Sequence, residues 1–99
     1  MPRHYLSVVP GDLRVPSSRR AGADPVKLAE QTQRFGDSAM TMPPIQVTLC
    51  ADNEMMINDG VTRASRIAKL NPDATIVVEV IDERPTWSLA HLPRVRETL

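Results

Sequence analysis

With 99 residues the chain has room for one domain and one modest core, which excludes a large multidomain enzyme. Twelve acidic side chains balance twelve basic ones, so no global charge steers the chain toward DNA, RNA or an anionic membrane, and any anion site must be local. A single cysteine excludes an intramolecular disulfide framework and a multi-cysteine metal cluster, and no apolar run is long enough for a bilayer span or a secretion signal. The expectation is a soluble, cytoplasmic protein, either whole or one domain of something longer.

Residues 5–9 alternate like a short strand and Pro10-Gly11-Asp12 turns the chain. Leu13-Arg14-Val15-Pro16 extends again, because a residue before proline avoids the helical region. Residues 17–24 read as an exposed loop carrying Arg19 and Arg20. Asp24 followed by Pro25 predicts a helix start, with Gly36 as its stop and a thin apolar face between. Residues 37–44 form a bend closed by two prolines, with Met40, Met42, Met55 and Met56 as adaptable packing around it.

Residues 45–49 alternate with Ile45, Val47 and Leu49 on one face, and 55–57 resume an apolar strand after a polar turn, which predicts a hairpin. The helix after Gly60 places Val61, Ala64, Ile67 and Ala68 toward the core and leaves Arg63, Arg66 and Lys69 at the rim. Residues 75–81 are the strongest strand signal, and their near-continuous apolarity predicts cover on both faces and a parallel neighbour. The tail, 84–99, docks as a short helix or packs Trp87 and Leu92 on the body. These elements make an α+β domain with a small mixed sheet and two or three packed helices, its core spanning about residues 4–83.

Site chemistry concentrates in Asp59-Gly60-Val61-Thr62-Arg63. A helix starting there points unpaired N–H groups at an anion, Gly60 allows close approach, Thr62 adds a hydroxyl and Arg63 offers two parallel donors to phosphate oxygens. In the plainer alternative Asp59 only caps the helix and Arg63 lies on a solvated face. Arg66 is a supporting cation, and Arg19 and Arg20 are loop contacts able to close on a nucleotide or on a nucleic-acid backbone. Asp52, Glu54, Asp59 and Asp73 have no distinctive metal-ligand spacing, so no protein-bound metal is expected; magnesium would arrive only with a nucleotide. His4, His91 and Cys50 lack recognisable partners for zinc or nucleophilic chemistry.

The order of these elements, with Pro44-Ile45-Gln46-Val47, Met56-Ile57-Asn58-Asp59-Gly60 and Arg63, resembles the N-terminal domain of ParB-like proteins and the related sulfiredoxin fold. The resemblance implies a Gly-x-x-Arg junction that holds nucleotide or phosphate, with Gly60 and Arg63 matching its glycine and arginine and Asp59 the acidic residue before them. The departures are equally specific. Val61 stands where sulfiredoxins place the catalytic cysteine, and the glutamate and further arginines of the ParB triphosphate clamp are missing. The loop through Arg19 and Arg20 lacks the glutamate of the kinase-like members. The expectation is therefore a nucleotide- or phosphate-binding domain linked to DNA metabolism in plasmid or phage biology, with no catalytic residue assigned and nucleotide hydrolysis as its conceivable reaction. The alternatives are an interaction module that binds DNA, another protein or a second copy through an edge strand and the Arg19-Arg20 loop, or a degenerate fold without ligand.

Overall fold

β-Branched alternation becomes four strands in a computed structural model that describes residues 4–38 and 42–99: β1 (His4–Val8), β2 (Ile45–Cys50), β3 (Met55–Asp59) and β4 (Ile76–Arg84). They form one sheet in the order β1-β4-β2-β3, in which only the β2–β4 pair is parallel. Two helices, α1 (Pro25–Phe35) and α2 (Val61–Leu70), complete the α+β architecture expected from the sequence. No helix among the described residues is long and apolar enough to cross a membrane.

Local chemistry sets the ends of α1. The Asp24 carboxylate accepts the Val26 N–H at 2.8 Å, Pro25 occupies the first turn, and the Gly36 N–H closes the last turn on the Thr32 carbonyl. None of the α1 residues is buried, because the helix leans on α2 rather than on the sheet. In α2, Val61, Ala64, Ile67 and Ala68 are buried at the predicted helical spacing. They close over Ile45, Val47, Ile57 and Val78, which form the main core with Leu13 and Val15.

Three expectations need correction. The second face of β4 is covered only in part: Ile76 and Val78 are buried on the core side, whereas on the other side Glu79 is buried but Val77 and Ile81 are each 48% exposed. Continuous apolarity cannot distinguish a strand buried on both faces from one that leaves an apolar solvent face. The clean alternation of β2 also fails, since its pairing shifts register after Gln46 against β3 and after Val47 against β4, and Thr48 and Cys50 become buried. Arg66, expected at the rim, lies inside. The bend at 37–44 is described only in part: Met40 and its neighbours Ala39 and Thr41 lie outside the described residues, whereas Met42 packs on the core.

Beyond β4 the chain wraps back. Leu89 and Leu92 make a second small cluster with Cys50 and Met56, Val95 enters the main core, and Trp87 stays half-exposed under the Arg84 guanidinium. Residues 13–15 add to the β3 edge through Arg14, whose N–H and carbonyl bond Met55 and Ile57, and residues 93–95 add to them in turn through Val15 and Val95. Glu54 fastens this side, accepting from Arg94 Nη2 at 2.6 Å, Arg94 Nη1 at 3.1 Å and Arg14 Nη2 at 3.4 Å.

Burial opposes the charge of Glu54, but the bonds from Arg94 and Arg14 outweigh it and hold the carboxyl below its usual range. A folded value below the unfolded one, about 4.3, means that the stabilisation is complete above that pH and disappears as pH falls through the folded value. Glu54→Gln is therefore expected to lower the melting temperature near neutrality and to converge on wild type in acid. Thermal melts across that range check this, and a constant difference at every pH would contradict it.

Candidate functional site

The junction between β3 and α2 turns on Gly60, whose φ of 113° and ψ of 23° lie in the left-handed region. A Cβ at this position would sit 2.9 Å from Ile45 Cγ1 and 3.0 Å from Arg63 Nη2, so both backbone conformation and space require glycine. The turn presents the first residues of α2 to a groove of about 430 Å³. The groove is bounded by the loop at Pro16, Ser18 and Arg19, by Lys27 and Gln31 on α1, and by 58–63.

The plainer alternative for Asp59 does not describe this junction. Among the described residues no side chain caps α2, and the Asp59 carboxylate instead accepts from Arg63 Nη2 at 2.9 Å. The first-turn N–H groups of α2 therefore keep their partial positive charge on the groove side. Nor is Arg63 on a solvated face: its side chain is 16% exposed, and Nη1 donates to the Pro43 carbonyl at 3.0 Å. One guanidinium thus ties the start of β2 and the end of β3 to α2.

This arrangement redistributes the roles expected of the basic residues. Asp59 offsets the Arg63 charge, whereas Arg19 and Lys27 enter no ion pair among the described residues and give the groove its net positive character. Lys27 was not singled out by sequence. Its signal was only its place on the first turn of α1, one helical turn before Gln31, and the packing of α1 against α2 brings it to the junction. Thr62 lines the groove as expected. Arg20 does not; it donates to the His91 carbonyl at 3.1 Å.

Arg66 points to the other end of α1. It is 2% exposed, and Nη1 donates to the Gly36 and Ser38 carbonyls at 2.7 and 2.8 Å while the guanidinium lies 5.4 Å from the Phe35 ring centroid. Burial pushes its pKa down, with the nearby Asp37 charge acting in the opposite direction. The residue fastens the C-terminal end of α1 to α2 instead of supporting the anion junction.

A second depression, of about 420 Å³, lies between Asp12, the hairpin turn and Arg94. Most of its charges are matched, Glu54 with Arg94 and Arg14, and Asp12 with Arg96, while Asp52 adds a carboxylate with no ion pair among the described residues, which disfavours an anion there. Cys50 is buried, and burial with the Asp82 charge raises its thiol pKa, which disfavours the thiolate needed for nucleophilic chemistry. Among the described residues no three His, Cys, Asp or Glu side chains are grouped to hold a metal.

The chain matches no family model, no curated protein and no solved structure. The groove must accordingly be read from its own chemistry.

Two substitutions separate architecture from the groove. Gly60→Ala combines left-handed strain with a clash on Ile45 and should cost about 3 kcal/mol, more than Asp24→Ala, which removes one cap for about 1 kcal/mol. Urea denaturation gives the ranking, and equal costs would contradict the packed-glycine account. Arg66→Met should cost about 2 kcal/mol through the lost charge-assisted bonds, with unfolding as its readout.

Proposed function

We propose that the groove beside Gly60 binds a phosphate-bearing small molecule, a nucleotide being the class that best fits its size and lining. The observation that carries this reading is the coincidence, in one cleft, of a helix start and two basic side chains, Arg19 and Lys27, for which the described residues supply neither a side-chain cap nor an ion pair. Phosphate oxygens take the N–H groups of the first turn and the Thr62 hydroxyl, and Arg19 and Lys27 close on them from the facing side. The Asp59–Arg63 pair holds the mouth in shape and leaves Arg63 a secondary attraction. A volume of about 430 Å³ falls within the range of small-ligand sites. Asn58 and Gln31 supply amides for the remainder of the ligand.

The resemblance to ParB-like domains, with Gly60 and Arg63 at the corresponding junction, supports the same class of ligand. Magnesium enters this proposal only as the counter-ion of a di- or triphosphate. Extended contact with DNA is the weaker reading, because Arg20 is engaged with the tail and does not lengthen the basic lining.

Calorimetric titration with ATP, CTP, ADP and inorganic phosphate, with and without magnesium, tests the proposal. Lys27→Ala and Arg19→Ala should each weaken binding about fivefold to tenfold, equivalent to about 1 kcal/mol, with little effect on the melting temperature of the free protein. Arg63→Ala should lower both stability and affinity, since its bonds shape the site. Absence of heat and of thermal shift with every ligand would overturn the assignment.

A further inference from the structure

The wall of the groove that carries Arg19 is fastened to the far end of the chain. Within it the Arg19 N–H bonds the Pro16 carbonyl and the Gly22 N–H bonds the Arg19 carbonyl, each at 2.8 Å, a tight turn that brings Ser18 and Arg19 to the groove. Among the described residues, the hydrogen bonds that 15–22 make to other segments all go to the tail. The Val15 N–H donates to the Pro93 carbonyl at 3.0 Å, and Arg20 Nη2 donates to the His91 carbonyl at 3.1 Å. A third contact closes the turn. Gly22 is buried with a φ of 85°, and a Cβ there would lie 2.6 Å from Thr98 Cβ, so the Thr98 side chain rests on the glycine backbone.

We infer, on the reading of the groove as an anion site, that the tail is its positioning element: through Val15, Arg20 and Gly22 it holds the turn that presents Arg19 to the ligand. A turn this short does not order itself, and a ligand that had to order it on binding would lose affinity by that cost. The docked tail has already met the cost. Its own anchorage lies elsewhere, in Val95, which is buried in the main core with its N–H on the Leu13 carbonyl at 2.8 Å, and in the Arg94–Glu54 pair. The tail is thus a strap from the Glu54 clamp to the anion groove. Neither Arg20 nor Thr98 lines the groove, so both act on the ligand through Arg19. By linkage, whatever the docked tail adds to ligand affinity, the bound ligand adds to tail docking.

Arg20→Ala combined with Thr98→Ala removes two of the three supports and no lining residue. In the free protein, hydrogen exchange should quicken at the Arg19 and Gly22 amides and keep its wild-type rate in α2. Unchanged exchange at the turn would overturn the role of the tail whatever the groove binds. In titrations with ATP, CTP, ADP and inorganic phosphate, the paired substitutions should weaken binding about threefold to fivefold. In an Arg19→Ala background they should have no further effect, because the tail then has nothing to position. Loss of affinity by the same factor in both backgrounds would mean general destabilisation and would overturn the inference. Saturating ligand should in return slow exchange at the Val95 amide of the wild type. A wild type that binds none of the four probes overturns the anion reading and the positioning role together; one that binds them as well with the paired substitutions as without overturns the positioning role alone.

Discussion

The approach of the Gly60 backbone to Ile45 is the constraint on which the rest of the structure depends. The chain leaves β3 at a sheet edge and must enter a helix that packs over the sheet it has just completed. Only a left-handed residue without a side chain makes that turn with Ile45 filling the space beneath it. Once the turn is made, Arg63 reaches back to Asp59 and to the Pro43 carbonyl, joining both strands of the hairpin to α2. The buried face of α2 then meets Ile45, Val47 and Ile57, and β4 can return parallel to β2.

The same geometry explains why the strongest arginine of the motif is less free than its sequence position suggests. A guanidinium that holds three segments together spends its donors on them, and its charge is offset at 2.9 Å by Asp59. The groove is nevertheless basic because Arg19 and Lys27 approach from elements far away in sequence. Fold and proposed ligand site are thus divided between residues: Arg63 maintains the junction, and the facing wall contributes the uncompensated charge. Arg66 takes the division further, being devoted to the carbonyls that follow α1.

Charge pairing also distinguishes the two similarly sized depressions. Beside Glu54, opposite charges pair and clamp the tail to the hairpin, and Asp52 leaves a surplus carboxylate; beside Gly60, helix polarity and two cations without an ion pair among the described residues leave a positive field. Volume alone would not separate them.

Much of this was legible in local sequence. Asp24-Pro25 and Gly36 mark α1, the spacing of Val61, Ala64, Ile67 and Ala68 marks the buried side of α2, and Gly60 marks the junction, because caps, helical period and backbone sterics act within a few residues. What only the tertiary structure decided depends on contacts between distant segments. The bulges of β2 moved Thr48 and Cys50 inside, and the sheet order left Val77 and Ile81 outside. The packing of α1 on α2 brought Lys27 to the groove, and the carbonyls of Gly36 and Ser38 drew Arg66 into the interior. A basic side chain looks the same in sequence whether its partner is water, a carbonyl or an absent anion; its surroundings in the folded chain determine which role it has.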